Sequence, residues 1–162
     1  MMQARRAGLL LAFFFILLLS ACSKTDDQGF FADRAGMLDQ QSRQRIIEYN
    51  RALLKDFNIH CKVVILGQPS KDINSDAAEL FGDLGEKTGK ARGLLFLIDP
   101  VGKQVRVEVG YDLEEIFTDI FVSYLEHEQM VSFFQQGKVG AVIEATEELF
   151  VARVQRSMAG KS

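Results

Sequence analysis

The chain has 162 residues, 48% of them hydrophobic and 25% charged, with a formal net charge of −3 and two cysteines. That length carries one core of ordinary size. The acidic balance, with no stretch of clustered Lys and Arg, argues against a nucleic-acid partner, and so few cysteines exclude a disulfide-stapled scaffold.

The first element is a leader. From Ala7 to Cys22 no residue is charged, but sixteen helical residues cover roughly 24 Å against a hydrocarbon core of about 30 Å. Arg5 and Arg6 supply a positive start, Leu9 to Leu19 an apolar centre, and Ser20 and Ala21 the small residues of a cleavage point. Residues 1–21 therefore read as an export signal rather than a membrane span.

"LSAC", Leu19 to Cys22, resembles the lipobox of bacterial lipoproteins. The resemblance implies that Cys22 is alkylated by diacylglycerol, becomes the first residue after cleavage and is then acylated on its amine. Two or three acyl chains, at about 0.8 kcal/mol per buried methylene, hold a membrane durably where one does not. The expected location is the cell envelope, on the periplasmic side of a membrane. Ser23 stands where an inner-membrane retention signal has aspartate, which favours the outer membrane. Loss of Arg5 and Arg6 with the leader takes the charge from −3 to −5. Cys61 is then the sole unmodified thiol, and its apolar neighbours predict a buried, inert group.

Residues 22–32 read as a lipidated tether, with Phe30 and Phe31 able to dock on the core. A helix is expected from Asp39, a good N-cap, to Phe57. Its apolar stripe is Ile46, Leu53, Leu54 and Phe57, and its wet face Arg43, Arg45, Arg51 and Lys55. "CKVVILG" follows as a strand covered on both faces. A loop with Pro69 leads to a helix over about 74–88, in which Ala77, Leu80, Phe81 and Leu84 recur at helical spacing. "GLLFLI", Gly93 to Ile98, is the next strand, parallel to the first across a right-handed crossover.

"DPVGK" has turn chemistry, with Gly102 free to take a positive φ. Val105, Val107 and Val109 then alternate with Arg106 and Glu108, the pattern of an edge strand with one wet face. Leu113, Ile116, Phe117, Ile120, Phe121, Tyr124, Val131 and Phe134 trace a helical stripe, broken near Thr118 and ended by Gly137. A last helix over about 139–156 packs Val142, Ala145, Leu149 and Phe150. The order predicts an α/β fold, a three-layer α/β/α sandwich around a small mixed sheet over residues 33–157, with 158–162 as a disordered tail.

"DRAGML" at Asp33 to Leu38, "GLLFLIDP" at Gly93 to Pro100 and "VRVEVGYDLEEIFTD" at Val105 to Asp119 together resemble the TPM domain family. Its members include bacterial membrane-associated proteins, a thylakoid-lumen protein tied to photosystem II repair and an animal receptor-associated protein. The resemblance implies the same α/β/α sandwich. Asp112 departs from the family's usual glycine. The C-terminal membrane helix and Gly-rich tail of many bacterial members have no counterpart here, so acylation of Cys22 is expected to supply the anchor.

In an open α/β sheet, chemistry gathers beyond the carboxyl ends of the parallel strands. Asp99 falls at such an end, Asp33 precedes the first helix, and Glu114 and Asp119 open the helical segment after the hairpin. Oxygen ligands of this kind suit calcium or magnesium. Some TPM proteins are described as binding such ions, which makes Asp33, Asp99, Glu114 and Asp119 the matched candidates. Capping, turn formation and the helix dipole explain the same acids without a metal.

His60 opens a strand and His127 lies among glutamates on a wet face. "HEQMV" lacks the second histidine of a zinc-protease helix, and neither a phosphate loop nor a nucleophile elbow is present. The expected function is a non-catalytic envelope module that binds an envelope protein and assists assembly or maintenance of membrane complexes, with a divalent ion stiffening its loops. The alternative is a metal-dependent acid phosphatase, an activity attributed to the plant relative.

Overall fold

A computed structural model of the protein describes residues 29–88, 90–129 and 138–160. The leader 1–21, Cys22, most of the tether, Val131, Phe134 and Gly137 lie outside the described residues.

Four strands form a single mixed sheet in the order β1-β2-β3-β4. They are β1 (Phe31–Asp33), β2 (His60–Ile65), β3 (Gly93–Asp99) and β4 (Gln104–Val109). β1 and β2 are parallel, as are β2 and β3; β4 runs antiparallel to β3 with Leu94 opposite Val109 and Asp99 opposite Gln104. Helix α1 (Gln40–Phe57) joins β1 to β2, and α2 (Ile73–Thr88) joins β2 to β3. A 3-10 turn (Tyr111–Leu113), the short α3 (Asp119–Tyr124), a π turn (Leu125–Gln129) and α4 (Val139–Ala159) follow β4. Among the described residues no helix is long and apolar enough to cross a membrane.

The alternation of β2 and β3 sorts their side chains into two cores. Cys61, Val63, Ile65, Leu94, Phe96 and Ile98 face α1, α4 and the 111–125 segment. Val64, Leu95 and Leu97 face Ile73 and Ala77 of α2. This is the three-layer sandwich expected from the sequence. Phe150 centres the larger core, with edge-on contacts to Phe96 and Phe117 at 6.1 and 5.3 Å between ring centroids, a favourable arrangement for the ring quadrupoles.

Helix α1 starts as its sequence predicts: Asp39 is the N-cap and accepts the Ser42 amide at 2.7 Å. Asn58 ends the helix in the left-handed region at φ 54°. Arg45 leaves the expected wet face, because Glu144 on α4 takes its guanidinium through both carboxylate oxygens.

Several expectations change. Phe31 to Asp33 belong to the sheet, so the fold begins inside the span read as tether, and α4 runs through Ala159 into the span read as tail. Thr118 does begin α3, but through its backbone, with no side-chain cap. Ile120 and Tyr124, placed on the apolar stripe, are 85% and 53% exposed. Leu113 and Phe117 are buried as the stripe predicts, but the 3-10 and π turns flanking α3 shift the helical phase, so that Leu125 turns inward where Ile120 and Tyr124 do not. Leu149 on α4 is also exposed, while Glu147 is fully buried. In the β3–β4 turn the positive φ falls on Lys103 rather than Gly102.

Candidate functional site

The carboxyl ends of β1, β2 and β3 meet at one edge of the sheet, and three loops leave from it. Asp33 closes β1. Its Oδ1 accepts the Ala35 amide at 3.2 Å, and its Oδ2 accepts the Leu38 amide at 3.1 Å and Arg43 Nη2 at 3.2 Å. Burial resists ionisation here, but the N–H groups of Leu38, Met37 and Gly36, with the Arg43 guanidinium, hold the carboxyl below its usual range.

Asp99 closes β3 and is fully buried. Its Oδ1 accepts the amides of Val101 at 3.1 Å and Gly102 at 2.7 Å, which forms the turn to β4. Its Oδ2 accepts the Ser70 amide at 2.8 Å, which ties that turn to the β2–α2 loop. Gly102 is required here by space: a Cβ would collide with Asp99 Oδ2.

Beyond β2 the chain crosses close to the β1–α1 loop. A Cβ on Gly67 would lie 2.5 Å from the backbone oxygen of Arg34. Neither partner is a flexible side-chain end, so Gly67→Ala is expected to cost about 2 kcal/mol through overpacking, seen as a lowered urea midpoint with an unchanged slope.

Between these loops is a cleft of about 430 Å³ lined by Arg34, Leu66, Gly67, Pro69, Ser70 and Asp76, among others. The Ser70 hydroxyl donates to Asp76 Oδ2 at 2.5 Å. One wall thus offers a cation, a hydroxyl and a carboxylate, suited to a polar or anionic group of modest size.

Glu114 and Asp119 are elsewhere. Because β4 is antiparallel, the chain after it leaves at the amino edge, opposite Asp33 and Asp99. Both acids line a groove of about 310 Å³ along the outer side of β4, with Arg106, Glu108 and Glu126. Arg106 bonds Glu108 at 2.9 Å and Glu126 at 3.4 Å, and Glu126 also accepts the Val107 amide of the edge strand at 2.8 Å. The four matched carboxylates do not form one oxygen cage: β2 separates Asp33 from Asp99, and Glu114 and Asp119 follow β4, which runs to the opposite edge, and line the groove beside it. Among the described residues no group of three or more His, Cys, Asp and Glu is placed to hold a metal ion.

The histidines stand apart from the cleft. His60 starts β2, and burial lowers its pKa; His127 is exposed in the π turn.

Sequence reasoning passed over Arg34, Ser70 and Asp76, whose loop carries only generic polar chemistry. It also passed over a buried polar group between β2, α1 and α4. Cys61 Sγ donates to Glu147 Oε1 at 3.6 Å, and Asn50 adjoins the same carboxyl while its Nδ2 donates to Phe30 O at 3.2 Å. Burial pushes Glu147 from an ordinary 4.5 up to about 8, and burial together with Glu147 pushes the Cys61 thiol up. Asn50 Oδ1 and Thr146 Oγ1 are buried without a hydrogen-bond partner among the described residues. The signal was available: Ile143, Glu147, Phe150 and Val154 recur at helical spacing, so the glutamate sits within an apolar stripe.

Comparison with known proteins accords with this architecture. The family model described as TPM domain matches residues 31–152. Among solved structures, the solution NMR structure of the N-terminal domain of a protein from P. gingivalis superposes with a TM-score of 0.68 at 22% identity, covering 82% of this chain and 86% of that one. At that identity the likeness shows the fold alone. No curated protein matches the sequence.

Proposed function

We propose a function on the premise that this chain belongs to the TPM domain family: a lipid-anchored module of the bacterial envelope, held by acyl chains on Cys22. Its carboxyl-edge cleft binds an envelope partner and assists assembly or maintenance of membrane complexes without catalysing a reaction. What carries this reading is the engagement of Asp33 and Asp99. Their oxygens accept five backbone N–H bonds in total, three at Asp99 and two at Asp33. Carboxylates so engaged fix loop shape, and a preformed concave wall lowers the ordering cost of association. Calcium or magnesium is left out of the proposal, because the four matched acids do not converge.

The acid phosphatase reading keeps one specific support. Ser70, already hydrogen-bonded to Asp76, shares the cleft with Arg34, so a hydroxyl, a carboxylate and an anion-binding cation stand together.

One experiment has two arms. Cells expressing the full chain are labelled with radioactive palmitate, and the purified protein is assayed for phosphate release with calcium or magnesium present. Label is expected in the wild type and absent from Cys22→Ser, with no phosphate released. Label in Cys22→Ser would refute the anchor; turnover lost on Ser70→Ala would replace the binding module with an enzyme.

A further inference from the structure

The described chain joins the sheet partway along it, with Phe31 opposite Val63, the fourth residue of β2, and comes in from the amino side. Gly29 is exposed, and Phe30 O accepts the Val63 amide at 2.9 Å, so β1 is entered from the end at which β2 and β3 start. Only seven peptide links separate Gly29 from Cys22, a reach of at most about 25 Å even when fully extended. Bringing the carboxyl edge to the anchoring surface would require those links to turn back along β1. At about 3.3 Å per residue the way from Gly29 to the level of Asp33 alone uses about 13 Å, roughly half of that reach, with the loops at Gly67 and Val101 still projecting beyond.

Resting on the lipid-anchor reading above, we propose that the amino edge of the sheet lies against the membrane, with Tyr111 in the headgroup zone, and that the Arg34–Ser70–Asp76 cleft points away from it. Tyr111 is 74% exposed. It is not a loose loop residue: the Gly110 amide bonds Gly93 O at 2.8 Å and fixes the 3-10 turn to the start of β3. At the same edge Arg92 donates to Phe57 O at 2.7 Å and to Asn58 O at 3.0 Å. A tyrosine on a fixed backbone, apolar in its ring and wet at its hydroxyl, suits the boundary between acyl chains and water. Asp112, Glu114 and Glu115 follow it in sequence and are exposed, so the contact is shallow and made with zwitterionic rather than anionic headgroups. The geometry leaves the cleft open to partners approaching from the aqueous side.

The chain contains no tryptophan, which allows a direct test. Full-length lipidated protein carrying Tyr111→Trp, or Val101→Trp in the turn at the opposite edge, is reconstituted into phosphatidylethanolamine–phosphatidylcholine vesicles bearing a nitroxide headgroup. Quenching is expected to be several-fold stronger for Tyr111→Trp than for Val101→Trp. Equal quenching, or stronger quenching at position 101, in vesicles that carry the protein overturns the orientation and leaves the anchor intact. Wild-type protein that fails to float with the vesicles, or a Cys22→Ser chain that floats as well as wild type, overturns the anchor and the orientation with it.

Discussion

Asp99→Ala is expected to lower the unfolding free energy by about 3 kcal/mol, the upper part of the range for removing a buried charged acceptor. The side chain is fully buried and serves two loops at once. Its removal leaves the amides of Ser70, Val101 and Gly102 without their acceptor and opens space that Gly102, lacking a side chain, does not fill. Asp99→Asn is expected to cost about half as much, because one oxygen remains while the amide NH₂ meets an N–H donor on the other side. Urea denaturation of the three proteins at pH 7 provides the measurement. An Asp99→Ala variant within about 0.5 kcal/mol of wild type, the usual range for surface substitutions, would show that Asp99 does not fasten the loops. Ser70 is held by the same carboxylate, so the cleft wall should loosen in parallel, and amide exchange at residues 67–72 should quicken more than exchange in α1.

The sequence made the layers legible because long elements write their periodicity clearly. Asp39 and Asn58 bracket α1 through cap chemistry, and Gly93 to Ile98 is apolar at every position after the glycine, so burial on both faces follows. Three residues cannot display a period, which is why β1 was absorbed into the tether. Ile120 and Tyr124 were misplaced for a related reason: a helical stripe assumes 100° per residue, and the 3-10 and π turns around α3 break that assumption. The candidate site was half legible. Asp33 and Asp99 each end a run that reads into a turn, and both do lie at the carboxyl edge. Glu114 and Asp119 were grouped with them although the hairpin at Pro100 already reverses the chain, so residues after β4 must emerge at the other edge. Ser70 and Asp76 could not have been singled out, since their proximity depends on how the β2–α2 loop folds back onto the first turn of α2.

Glu147→Gln is expected to stabilise the protein, and by an amount that grows with pH. Burial raises the pKa of Glu147 from 4.5 in the unfolded chain to about 8 in the folded one. Between those values the folded state keeps a proton that the unfolded state has released, so ν_U − ν_N is negative and stability falls as pH rises. Below about pH 4.5 the residue imposes no penalty; the loss builds to about 3 kcal/mol at pH 7 and levels off near 5 kcal/mol above pH 8. Glutamine has nearly the same shape, remains neutral throughout and keeps a hydrogen-bonding group toward Cys61 and Asn50. Among the described residues Cys61 is the titratable group against this carboxyl, and its raised pKa keeps the thiol protonated across the window. The difference in unfolding free energy between Glu147→Gln and wild type isolates the one site, because every other titrating group is common to both. It should be near zero at pH 4.5, about 3 kcal/mol in favour of the variant at pH 7 and larger at pH 8. A difference that does not change with pH would show that Glu147 ionises in the folded protein as readily as in the unfolded chain. A variant less stable than wild type at pH 8 would show that a charged Glu147 is held by partners stronger than Cys61 and Asn50.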